Sequence, residues 1–97
     1  MKTSEVKKMP KTDEKMISEL FELIVSIENT DDCRALFDDL CTKKEVEQMA
    51  QRVRAAKLLI EGKTYNQVTE ETDISSATLS RISRCIQYGN GYSKFLK

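Results

Sequence analysis

Histidine is absent from this 97-residue chain, and cysteine occurs only three times. Without histidine, zinc sites of the usual Cys/His spacing and Cys–His catalytic pairs are excluded. Cys33, Cys41 and Cys85 are odd in number, far apart and in no CxxC pattern. A disulfide framework is therefore not expected, and the thiols read as buried groups in a reducing cytoplasm. Glycine is sparse, with three residues and no glycine-rich phosphate loop. No acid/base constellation stands out, so an enzyme is the weakest reading. No apolar run reaches the length of a membrane span, and no signal-peptide core is present. The expectation is a soluble, cytoplasmic protein without membrane association.

Strand-like alternation is lacking too, as are internal repeats. What remains is helical periodicity with short connections, which predicts an all-α fold. The formal charge is zero, 16 basic residues against 16 acidic. That balance conceals a division. Residues 1–42 hold six Lys/Arg against ten Asp/Glu, a surplus of four acids. Residues 43–97 hold ten against six, a surplus of four bases. A basic half points to a polyanionic partner for that half alone.

Residues 1–12, "MKTSEVKKMPKT", are polar, Lys-rich and interrupted by the single proline, Pro10. They read as a disordered arm ahead of one domain over residues 13–97. Asp13 is an N-cap candidate for a helix whose stripe is Ile17, Leu20, Phe21, Ile24 and Ile27. Leu23 and Val25 fall outside that stripe, and a partner subunit is a natural cover for them. Thr30 is a cap candidate for a second helix with Cys33, Leu36, Phe37 and Leu40 on its buried side. Asp31 and Asp32 suit the positive end of that helix. Together with Asp38 and Asp39 they lack calcium-loop spacing, so no metal site is expected.

Thr42 with Glu45 makes a capping box for the longest helix, which stops at Gly62. Val46, Met49, Ala50, Val53 and Ile60 mark one face of it, with Arg52 and Arg54 elsewhere. Thr64 with Gln67 opens a fourth helix ending near Thr72. After the joint Asp73-Ile74-Ser75, Ser75 or Ser76 caps a fifth helix that runs to about Gln87. "SKFLK" offers a final turn.

The joint has the apolar skeleton of a helix-turn-helix. One helix buries Val68, the turn buries Ile74, and the second helix buries Leu79 and Ile82. Thr69 stands where a small residue is usual, and Asp73 where glycine is usual. Asp tolerates the left-handed conformation required there better than most residues. The skeleton leaves Ser75, Ser76, Ala77, Thr78, Ser80, Arg81 and Arg84 outward as candidate DNA-binding residues. The small polar residues allow close approach to base edges, and the arginines reach phosphates or guanine. The competing reading is a helix-turn-helix reused as a protein-interaction module without DNA binding.

These residues, "QRVRAAKLLIEGKTYNQVTEETDISSATLSRISRCIQYGNGY" preceded by "CRALFDDLCT", resemble the trp repressor superfamily. The resemblance is closest to the YerC/YecD-type trp-repressor-related proteins and covers most of residues 13–92. It implies an intertwined homodimer of six-helix chains. Two helix-turn-helix units would read successive major grooves of a two-fold-symmetric operator in double-stranded DNA. The implied function is sequence-specific regulation of transcription, by repression.

The classical repressor holds tryptophan between two arginines that correspond by position to Arg54 and Arg81. A glycine follows the second arginine there; here the residue is Ile82. Overpacking a site costs about 1–3 kcal/mol, so Ile82 is expected to block the pocket. No cofactor is expected, and the question of another small-molecule effector stays open.

Overall fold

The computed structural model describes residues 13–97, and the arm expected over residues 1–12 lies outside the described residues. Six helices and no strand occupy the described chain. Its contacts divide it into two units, the first ending at Leu40 and the second spanning Cys41–Lys97.

In the first unit, α1 spans Glu14–Val25 and α2 spans Thr30–Leu40. The Asp13 carboxylate accepts the Met16 N–H at 2.9 Å, as its position ahead of the apolar stripe predicts. The cap of α2 is Asn29, not Thr30. The Asn29 side-chain oxygen accepts the Asp32 N–H at 2.8 Å, and its amide donates to the Asp32 carboxylate at 2.9 Å. Both residue types cap well, and the Asn29 amide can bond in both directions where a hydroxyl has less reach. Neither helix has a buried residue. Phe21 is 59% exposed and Val25 80%, although helical spacing marks α1 for burial on more than one side.

The second unit contains α3 (Lys43–Ile60), α4 (Tyr65–Thr72), α5 (Ser76–Tyr88) and α6 (Gly91–Leu96). Helix α3 starts at a complete capping box. The Glu45 N–H donates to Thr42 Oγ1 at 3.1 Å, and the Thr42 N–H donates to Glu45 Oε1 at 2.8 Å. It ends in a Schellman turn. Gly62 has φ +94°, its N–H donates to the Leu59 carbonyl, and the Lys63 N–H donates to the Leu58 carbonyl. Helix α3 is the scaffold against which α4, α5 and α6 all pack.

The core of this unit is Ala55, Ala56, Leu58, Val68, Ile74, Leu79 and Ile82. Full burial of each of the larger side chains stabilises by about 1.5–3 kcal/mol. The four residues of the helix-turn-helix skeleton are all in it. The α3 face marked by Val46, Met49, Ala50, Val53 and Ile60 is not: these residues are half-buried or exposed. Two alanines and Leu58 take the covered side instead, because α4 and α5 approach closely where the α3 side chains are small. The cysteines also depart from expectation. Cys33 and Cys41 are half-buried, and Cys85 is exposed.

Candidate nucleic-acid interface

Local hydrogen bonds hold both ends of α4 and build the joint with α5. Thr64 and Gln67 cap α4 reciprocally, at 2.9 and 3.2 Å. At its other end Thr72 is buried, and its hydroxyl donates to the Val68 carbonyl at 2.7 Å. The same oxygen accepts the Ile74 N–H at 3.4 Å, so one side chain satisfies two backbone groups across the turn. Sequence reading missed Thr72, whose part in the joint shows only once the chain has turned. Asp73 has φ 62° and ψ 16° and is the one non-glycine residue with positive φ among the described residues. This left-handed residue reverses the chain and points Ile74 into the core.

Ser75 caps α5. Its Oγ accepts the Thr78 N–H at 3.3 Å and donates to Thr78 Oγ1 at 3.2 Å. Leu79 and Ile82, 0% and 2% exposed, then anchor α5 from below. At the far end the Gly89 N–H donates to the Cys85 carbonyl. A side chain at Gly89 would come within 2.7 Å of that oxygen, so glycine permits the close turn into α6. The Ser93 hydroxyl fastens α6 by donating to the Ile86 carbonyl at 2.7 Å.

The candidate residues fall into two groups. Ala77, Ser80, Arg81 and Arg84 are exposed and share a hollow of about 690 Å³ along the outer side of α5. Ser75 and Thr78 line a second hollow of about 290 Å³, beside α3. Thr78 is half-buried rather than fully outward, because it turns toward Ser75. Ser76 is exposed on the first turn. Gln48, Gln51 and Arg52 of α3 line the second hollow, which the sequence did not indicate.

Arg54 and Arg81 line different hollows. Arg54 faces α4, where its guanidinium lies 3.7 Å from the Glu71 carboxylate. Both side chains are more than half exposed, and an ion pair in that setting contributes at most about 1 kcal/mol. Ile82, next in sequence to Arg81, belongs to the core on the inner side of α5.

Among the described residues, no helix is long and apolar enough to cross a membrane. Nor does any group of three or more His, Cys, Asp or Glu residues there come together as a metal site.

Known proteins share this arrangement. Residues 15–97 match the family described as Trp repressor protein. The uncharacterised protein YerC of Bacillus subtilis (strain 168) is 45% identical over 76 residues, covering 78% of this chain and 73% of YerC. The crystal structure of a candidate Trp repressor from Staphylococcus aureus superposes with a TM-score of 0.80 at 39% identity. That match covers 87% of this chain and 85% of the other. A TrpR-like protein from Eubacterium eligens ATCC 27750 gives 0.79 at 38% identity, over 82% and 84% of the two chains. The chain belongs to the Trp repressor protein family, a family of helix-turn-helix DNA-binding regulators.

Proposed function

We propose that residues 13–97 act as one domain that binds DNA sequence-specifically and represses transcription, as a homodimer on a two-fold-symmetric operator. The observation that carries this reading is the division of α5. Leu79 and Ile82 hold one side in the core, while Ala77, Ser80, Arg81 and Arg84 lie along the free side. In this reading α5 enters the major groove by its first turn. Ser76, Ala77, Thr78 and Ser80 approach base edges, and Ala77 or the Thr78 methyl meets thymine methyls. Arg81 and Arg84 contact phosphate or guanine, while Ser75 is committed to holding the turn.

Uncovered apolar surface supports the homodimer. Met16, Leu20, Phe21, Leu23 and Val25 of α1 are exposed. The second unit has an open apolar hollow of about 510 Å³ lined by Val53, Cys85, Tyr92, Phe95 and Leu96, among others. Two copies that cover such surfaces present two α5 helices, and half-site spacing then follows from the dimer. Tryptophan is not the corepressor in this reading. Ile82 occupies the core beneath α5, and Arg54 is turned toward Glu71.

Selection of bound duplexes from a random pool, with and without mixed amino acids, tests the proposal. It predicts enrichment of a symmetric pair of half-sites, independent of tryptophan. Failure to enrich any sequence refutes sequence-specific binding and favours a protein-docking role for the helix-turn-helix.

A further inference from the structure

One aromatic residue shares the outer hollow of α5 and has no part in the reading above. Ala77, Arg81, Arg84 and Tyr88 are spaced i, i+4, i+7 and i+11, which puts them on one straight stripe of α5. Leu79, Ile82 and Ile86 occupy the opposite side, packed into or against the core. The stripe lines a single hollow, so Tyr88 stands on the side of α5 that faces away from the protein. It is 83% exposed and is the last residue of α5, ahead of the break at Gly89.

We infer that the Tyr88 hydroxyl donates to a DNA phosphate at the lip of the groove that α5 enters; this rests on the DNA-binding reading above. At a rise of about 1.5 Å per residue, the Tyr88 backbone lies about 16 Å beyond that of Ala77 along the helix. A long helical side chain leans over the turn before its own Cα, which takes back about 5 Å. For a helix that enters by its first turn, distance along the axis is distance from the groove floor. The tip of Tyr88 then stands about 11 Å from the level at which Ala77 meets base edges. The major groove is about 8.5 Å deep, so a group at that height has passed the bases and meets the strand backbone. A slanted entry shortens the distance toward the groove depth itself. A phenol O–H donates to a phosphate oxygen without carrying a charge, and such a contact positions the helix without reading sequence. The first turn of α5 thus meets the bases, and its last residue meets the strand.

The test is a salt titration of binding to two duplexes, the best sequence from the selection and a scrambled one of equal length. A cationic phosphate contact contributes about 0.9 to the slope of log affinity against log salt, whereas an uncharged donor releases no counterion. Tyr88→Phe removes the hydroxyl and keeps the ring. It is expected to bind both duplexes roughly three- to tenfold more weakly, the worth of one hydrogen bond. Its salt slope and its base preferences are expected to match the parent's. Its thermal midpoint and its subunit association in sedimentation equilibrium are expected to match as well, because the side chain is exposed. A Tyr88→Phe protein that binds like the parent overturns the inference while leaving the DNA-binding reading standing. A lowered slope or an altered base preference also overturns it. So does weaker binding that accompanies subunit dissociation, which would assign Tyr88 to the subunit contact. A parent chain that binds neither duplex overturns both.

Discussion

Unfolding of Ile82→Ala tests the core, and unfolding of the parent with tryptophan tests the proposed independence from that ligand. Ile82 is 2% exposed and belongs to a core of seven buried residues, two of them alanines. Ile→Ala substitutions in cores cost about 2–5 kcal/mol, the spread reflecting how far the site can collapse. Here Ile86, one turn further along α5, and Tyr92 of α6 are only partly buried and pack against the core. Such neighbours can move inward, so the lower half of that range, about 2–3 kcal/mol, is expected. Against the roughly 5–15 kcal/mol of a typical domain this is a large fraction. Urea unfolding followed by far-ultraviolet circular dichroism measures it, through the midpoint at constant m. The same titration with tryptophan present reads the ligand question. A site with a Kd of about 10 µM would add about 2.7 kcal/mol at about 1 mM ligand; the parent is expected to gain nothing. A cost within about 0.5 kcal/mol, the size of a surface effect, would refute the core assignment. A stabilisation of the parent by tryptophan would refute the independence.

Asp73 sits at φ 62°, so Asp73→Gly is expected to be tolerated, whereas Asp73→Val should destabilise by about 1–2 kcal/mol because a β-branched residue fits the left-handed region poorly. Thermal melts of the two variants check this, and equal midpoints would contradict it. Phe21→Glu is expected to shift the protein from dimer to monomer in sedimentation equilibrium, since Phe21 is 59% exposed on the uncovered side of α1. A monomeric parent, or a Phe21→Glu dimer as tight as the parent's, would remove α1 from the subunit contact.

The parts legible in the sequence are those that rest on short-range bonding. Asp13, Thr42, Thr64 and Ser75 all cap as their spacing predicts, because an N-cap involves a side chain and a backbone N–H three residues away. The skeleton of Val68, Ile74, Leu79 and Ile82 was legible for a related reason. A tight turn between two short helices leaves few ways to bury those residues together. The side of α3 that the chain covers was not legible. Val46, Met49 and Val53 carry a stronger apolar signal than Ala55 and Ala56, yet close approach of α4 and α5 favours the small residues. The stripe of α1 predicted a helix correctly, but periodicity does not say whether the cover comes from the same chain. Arg52 was not legible as a neighbour of α5, because an exposed arginine on a helix looks the same whatever stands beside it. Only the turn at Asp73, which brings Ser75 next to α3, gives it a setting.

The most direct measurement is the salt dependence of DNA binding by the parent and by Arg84→Ala, followed by fluorescence anisotropy on the selected duplex and a scrambled one. Arg84 is exposed in the outer hollow of α5 with Arg81, Ser80 and Ala77. The account predicts tight, salt-sensitive binding of the selected duplex by the parent, with much weaker binding of the scrambled one. If Arg84 holds a phosphate, Arg84→Ala binds both duplexes more weakly and lowers the slope by about one. If it reads a guanine, the preference at one base pair relaxes instead, at a cost of about 1–3 kcal/mol on the selected duplex. Equal affinity of the parent for both duplexes, or an Arg84→Ala protein indistinguishable from the parent in slope and preference, would contradict α5 as the reading helix.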